Sequence, residues 1–323
     1  MYLAPEGQEI EIADAAAGFL GETMAIERLH GADAADMNAV LRNLLGDMGW
    51  FALAVPEADG GSGLSAVEHA LFFREVGRQC GPVDILAQCL ASNVASTQEL
   101  RTALMSGQAG VALLVVDAEG YRAIGSPASE WGLLVSNDEA RLYLIGDLPR
   151  TARPSLDPAN SLGTISSLPD PAASMAGERI WRLGQLGAAA MLVGIAEAAL
   201  DLIVEYAKVR ETFGRKIGAY QAVRHPCADM AVRVEAARSQ LWYAATAFKE
   251  GRIDASVHLD AAKHIANQTA LANSDTNIQL HGGIGVTEEH NAHLLLKHTM
   301  LLARIFGSKR ALLGSLLHAH LDD

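Results

Sequence analysis

The residues with the plainest capacity for chemistry sit in one run, Arg210-Glu211-Thr212-Phe213-Gly214-Arg215-Lys216-Ile217-Gly218, with Gln221-Ala222-Val223 just after it. Guanidinium groups offer planar forks to phosphate or carboxylate oxygens, and glycines let a backbone come close to an anion. The run reads as an anion-binding turn. It reads equally as a polar connection between helices, since exposed arginines often do no more than solvate a face. A second loop, Gln279-Leu280-His281-Gly282-Gly283-Ile284-Gly285, closes a long helical pattern. A glycine pair there caps a helix and also leaves bare backbone for a ligand. It is no dinucleotide fingerprint, whose glycines open a helix after a strand. His281, His290, His293, His298, His318 and His320 crowd the end of the chain, and His290-x-x-His293 beside Glu289 imitates a zinc helix. No third ligand follows at a fixed spacing, so no metal is expected.

These segments need long elements to hold them. Apolar positions recur at helical spacing before residue 107, as in Val40, Leu41, Leu44, Leu45 and Met48, and in Val67, Ala70, Leu71, Phe72 and Val76. A breaker cluster, Val55-Pro56-Glu57-Ala58-Asp59-Gly60-Gly61-Ser62-Gly63, separates the two sets. Strand-length pieces follow: Val111 to Val116, then Gly132 to Ser136 and Arg141 to Ile145 around the turn signal Asn137-Asp138. Residues 149–175 form a Pro/Ser/Ala stretch. After 179 nearly everything is helical. One helix spans Leu186 to Val209, a second carries Pro226 in its first turn and stops at Gly251, a third runs from Ala255 to Gln279, a fourth covers His293 to Phe306, and a last one follows. The fold expected is mainly α, of α+β type. It divides into an N-terminal helical domain (1–107), a small, shortened β-domain (108–178) and a C-terminal helical bundle (179–323).

Composition narrows the function. The chain has 323 residues with a formal net charge of −13 and half its residues hydrophobic, which excludes a disordered chain. Such an acidic balance makes a poor sequence-general nucleic-acid binder. The N-terminal stretch carries Glu6, Glu9, Glu11 and Asp14 and lacks the pattern of a secretory signal. The most apolar segment, Leu186 to Val204, is interrupted by Glu197 and Asp201 and reads as a core helix, not a membrane span. Cys80, Cys89 and Cys227 are far apart and odd in number, as free thiols in a reducing compartment are. A cytoplasmic protein without membrane attachment is expected.

Together the motifs resemble the acyl-CoA dehydrogenase family. Val55-Pro56-Glu57 with Gly60-Gly61 looks like that family's first-domain loop, and Glu75-Val76-Gly77-Arg78 like the helix after it. Arg210-Glu211-Thr212-Phe213-Gly214 matches its R-x-x-F-G stretch, and Gln279-x-x-Gly282-Gly283-x-Gly285 its Q-x-x-G-G-x-G. The resemblance implies an N-terminal helical domain, a middle β-domain and a C-terminal four-helix bundle. It implies FAD as cofactor, an acyl-CoA substrate, α,β-dehydrogenation of the thioester and an electron-transfer acceptor. A glutamate of the family removes the α-proton while the β-hydrogen leaves as hydride.

Two departures stand out. The family's T-x-P-x-x-G-S-D-like and W-x-T-N/S segments, which contact the flavin ring and thioester, are missing from 106–179. Where the family often carries Y-E-G-T, this chain has Ile305-Phe306-Gly307-Ser308, and phenylalanine accepts no proton. Some members place the base on a neighbouring helix, thirteen residues before a lysine. Counting back thirteen from Lys263 gives Glu250, which is otherwise a solvated carboxylate beside Lys249 and Arg252. In the family FAD lies across a subunit interface. This chain keeps the reaching half, with Arg210, Thr212, Phe213, Gln221, Gln279, Gly282 and Gly283 as cofactor-binding residues, and lacks the ring-holding half. It is similar to the short subunits that pair with a full-length catalytic subunit in α2β2 tetramers of bacterial steroid side-chain degradation. A homo-oligomer that dehydrogenates alone through Glu250, and a structural subunit without cofactor, are the alternatives.

Overall fold

The computed structural model describes residues 5–31 and 34–319, so residues 1–4 of the N-terminal reading and His320 of the histidine group lie outside it. The fold is mainly α with a mixed sheet in the middle of the chain. The N-terminal part holds helices α1 (Gln8–Thr23), α2 (Ala34–Asp47), α3 (Ala66–Arg78), α4 (Val83–Val94) and α5 (Gln98–Met105). Strands β1 (Val111–Asp117), β2 (Gly120–Ile124), β3 (Trp131–Val135), β4 (Glu139–Leu144), β5 (Thr151–Arg153), β6 (Leu162–Ile165) and β7 (Ala173–Ala176) follow. Then come α6 (Glu178–Val209), the short strands β8 (Glu211–Thr212) and β9 (Arg215–Lys216), α7 (Gln221–Lys249), α8 (Ala255–His281), α9 (Ala292–Leu302) and α10 (Lys309–Leu317). Two compact units arise: one from described residues within 1–30, 70–80 and 188–323, the other from those within 31–69 and 81–187.

In the second unit the seven strands run in the order β5-β6-β2-β1-β3-β4-β7. Only β1 and β3 pair in parallel, with Leu113 opposite Leu133. One buried cluster collects Ala112, Leu114, Ala123, Tyr143, Ile145 and Ile165, the alternation that a pleated strand imposes. Helix α4, almost wholly buried, packs on β1. Gln88 fixes this junction: its Nε2 donates to the carbonyls of Leu104 and Ala109, each at 2.7 Å, and its Oε1 accepts from Val111 N at 3.1 Å. Strands β5 to β7 fall inside the Pro/Ser/Ala stretch. They are three or four residues long, β5 and β7 mostly exposed and β6 half-buried, too short to show a period in the sequence.

In the first unit α3 and α6 cross at backbone contact. A Cβ on Gly194 would lie 1.9 Å from Arg74 O, and one on Gly77 2.0 Å from Met191 O. Glycine in the Glu75-Val76-Gly77-Arg78 motif is therefore a packing requirement. By length and composition α6 is the one helix among the described residues able to cross a membrane, but most of its apolar stretch is buried inside the protein. Its Glu197 is engaged by Arg74 at 2.7 Å, Arg78 at 3.4 Å and Arg238 at 3.7 Å, and Asp201 by Arg78 at 2.6 Å.

Boundaries shift at three places. Helix α6 starts at Glu178, one turn or more before the apolar run. Helix α7 starts at Gln221, so Pro226 stands beyond its first turn and forfeits an internal hydrogen bond. Helix α9 ends at Leu302, and the chain turns a corner at Phe306 (φ 51°) and Gly307 (φ 117°) before Ser308 caps α10.

Candidate functional site

Helix α6 runs out at Val209 and the chain reverses at once. Ile217 N donates to Arg210 O at 2.8 Å, Thr212 pairs with Arg215, and Phe213-Gly214 forms the tip. Both tip residues have positive φ, 49° and 78°, as a two-residue hairpin of the right twist demands. Glycine adopts this freely. Phenylalanine does not, and strain of order 1 kcal/mol or more is held there. Phe213 is also 98% exposed. Lys216 Nζ is turned back onto Val209 O (3.1 Å) and Glu211 (2.9 Å), while Arg210 is exposed and carries no carboxylate partner among the described residues. The free cation and the strained aromatic thus point outward from the same turn.

The glycine loop lies at the same end of this unit. Tyr206, one helical turn before Arg210, places its ring 4.5 Å from that of His281, the last residue of α8, and His281 in turn lies 4.4 Å from His290. Gly282 (φ 68°) ends α8 and a short 3-10 turn, Gly282–Val286, follows. A Cβ on Gly285 would meet Ile278 O at 2.9 Å, so that glycine serves internal packing. Gly282 and Gly283 face open space, as does the exposed Gln279. Gln221 opens α7 and is exposed as well. Arg210, Thr212 and Phe213 are thus joined to the Gln279–Gly283 loop through Tyr206 and His281. The sequence singles out His281 only as one of the clustered histidines, and Tyr206 not at all. The available signals were the one-turn spacing of Tyr206 from Arg210 and the position of His281 beside Gly282.

Glu250 stands apart. It is exposed just past the far end of α7, whose 29 residues put about 44 Å between it and Gln221. Its neighbours are committed elsewhere: Lys249 to Glu9 at 3.0 Å and Arg252 to Asp254 at 2.6 Å. Lys263, used to locate it, is fully buried, donating to Asn267 Oδ1 at 2.7 Å and Leu302 O at 3.1 Å. Burial lowers its pKa to about 7. Phe306 is buried at its corner. The histidines gather no metal set among the described residues. Burial lowers the pKa of His281, His290 and His293 alike. A cavity of about 510 Å³, lined by Ile10, Leu71, Arg74, Arg238 and Trp242 among others, contains none of the candidate residues.

The donor set fits part of an FAD molecule. An unpaired arginine suits phosphate oxygens, an exposed aromatic offers a flat face, and bare backbone at Gly282-Gly283 admits a close ligand. The sheet presents a different arrangement. Strand β1 turns into β2 through Ala118-Glu119 alone, with Asp117 paired to Gly120. In the β2–β3 connection Ser126 and Ser129 are buried, and Ser126 N donates to Asp84 at 3.3 Å.

Residues 6–103 match the N-terminal domain of acyl-CoA dehydrogenase and residues 180–318 its C-terminal domain. Acyl-CoA dehydrogenase FadE34 of Mycobacterium tuberculosis is 35% identical over 274 residues, covering 78% of this chain but only 38% of that protein. Acyl-CoA dehydrogenase IpdE2 of the same organism is 31% identical over 290 residues, covering 85% of this chain and 84% of that one. Among solved structures, the ChsE4–ChsE5 complex from Mycobacterium tuberculosis shares the fold, with a TM-score of 0.80 at 21% identity over 99% of this chain and all of that one. The chain belongs to the acyl-CoA dehydrogenase family, a family of FAD-dependent oxidoreductases acting on CH–CH bonds.

Proposed function

We propose that this chain serves α,β-dehydrogenation of an acyl-CoA thioester as the subunit that lends the cross-interface half of an FAD site to a full-length partner, within a cytoplasmic hetero-oligomer. The observation that carries this is the pairing of an outward, strained hairpin and open glycine loop with a sheet whose β1–β2 turn has only two residues. The chain keeps what reaches out and lacks what would enclose. Domain limits at 107/108 and 178/179 accord with the two matched segments, 6–103 and 180–318.

A bound FAD would supply the acceptor for the hydride leaving the β-carbon of the thioester. In this reading Arg210 holds phosphate oxygens. Thr212, Phe213 and Gln221 border the same part of the cofactor, and Gln279, Gly282 and Gly283 let it lie against backbone. Glu250 is this chain's candidate base, and its exposure on the free chain means that a partner or substrate must cover it before it removes a proton. Steroid or other lipid acyl groups are the substrate class in view. The name of the ChsE4–ChsE5 complex supports a two-chain arrangement.

The test is expression alone and with the product of an adjacent gene, comparing flavin absorbance and complex mass. Flavin bound only on co-expression, at about half the usual number per tetramer, is expected. One tightly bound flavin per chain in the isolated homo-oligomer overturns the shared site and makes Glu250→Gln the decisive variant for a self-sufficient enzyme.

A further inference from the structure

Strands β8 and β9 are two residues each, and such a ribbon is not stable by itself. It nonetheless holds a phenylalanine at φ 49° in full exposure, a conformation that persists only where the surroundings over-determine it. One residue, Tyr220, touches both strands of the ribbon. The Tyr220 hydroxyl donates to Thr212 O at 2.9 Å. The guanidinium of Arg215 lies 4.0 Å above the Tyr220 ring centre. The Tyr220 carbonyl accepts from Val223 N and Arg224 N and so begins α7. Tyr220 therefore ties β8, β9 and the start of α7 together.

We infer that Tyr220 is the positioning residue of this hairpin, acting through the Phe213-Gly214 tip. Its ring engages the exposed Arg215 and leaves Arg210 as the uncommitted cation beside it. The consequence for cofactor binding rests on the shared-FAD reading; the clamp itself does not.

The full chain, purified alone, tests the clamp by limited trypsin cleavage after Lys216, with global thermal unfolding followed in parallel. Cleavage through local opening tracks the population of the open form. Tyr220→Phe keeps the ring and loses the hydroxyl, so cleavage rises about fivefold. Tyr220→Leu loses both contacts, and the rise reaches about twentyfold. Arg215→Met added to Tyr220→Phe brings the rate to that of Tyr220→Leu, and added to Tyr220→Leu changes nothing, a coupling that general loss of structure does not produce. Equal cleavage in all variants, or faster cleavage only alongside a lower global unfolding temperature, overturns the clamp. The Tyr220→Phe and Arg215→Met arms decide the matter if Tyr220→Leu does not fold.

In the co-expressed complex, loss of flavin with Tyr220→Leu supports the positioning role. Flavin retained in Tyr220→Leu but lost in Arg210→Ala overturns that role. Flavin retained in both overturns the shared-FAD reading and leaves the clamp standing.

Discussion

Each compact unit carries a hairpin closed by two residues, and the two could hardly differ more. At β1–β2 the turn is Ala118-Glu119, neither residue has positive φ, and the strands run five paired positions deep into a sheet. At β8–β9 the turn is Phe213-Gly214, both residues have positive φ, and only two pairs support it. The contrast extends inward. Beneath the first hairpin lies the apolar cluster of Ala112, Leu114, Ala123 and Ile165. Along α8 the other unit buries Lys263, Asn267, Asn273, Ser274, Asn277 and His281. Strain, exposed aromatic surface and buried polarity all oppose stability. The strained non-glycine turn and the exposed aromatic fall in one unit, the unit that also carries the open glycine loop.

The largest effect that would sharpen this contrast comes from Lys263. Its pKa is about 7 in the folded protein, against the usual value near 10.5 for an exposed lysine. Between those values the unfolded chain holds the proton and the folded chain does not, so stability rises with pH from about 7 upward. From pH 7 to pH 9 the gain is on the order of 2–3 kcal/mol from this group. Urea unfolding at both pH values should show it, and Lys263→Met should flatten it. A slope unchanged in the variant means that the buried cation is not a burden on this unit.

Next in size is Gly120→Val. Gly120 has φ 128°, and its Cβ would lie 2.5 Å from Ile165 O. A loss of about 2 kcal/mol is expected in denaturant unfolding. A tolerated valine would break the comparison, because the β1–β2 connection would then not be fixed. Arg210→Ala in the co-expressed complex should weaken flavin binding by roughly 2 kcal/mol, about thirtyfold, through loss of a charge-assisted contact. Flavin titration of the apo-complex measures it, and Arg122→Ala beside the other hairpin should leave binding unchanged. The smallest effect belongs to Phe213→Asn. Asparagine accepts positive φ, so the chain should gain about 0.5–1 kcal/mol while the complex binds flavin less well. Calorimetry of the chain and titration of the complex should move in opposite directions.

Much of the helical framework was legible because its signal is repeated. Val67, Ala70, Leu71, Phe72 and Val76 recur at helical spacing in α3 and all are buried. The same reasoning overshot on α2, where Leu41 and Leu45 are buried but Val40, Leu44 and Met48 are exposed. Periodicity reports a face, and not how much of it the fold covers. The motif segments were legible as loops between long helices. That they meet was not, because Tyr206 and His281 lie far apart in the chain and only helix packing brings their rings together. Tyr220 looked like any residue before a helix. The burial of Lys263 carried no sign, since a lysine in a helical pattern ordinarily faces water.

The sheet's two open edges, β5 and β7, offer an incoming strand no more than three and four residues to pair with. Growth by strand addition therefore has almost no template. Free copies of this chain, however concentrated, are thereby shielded from edge-to-edge polymerisation.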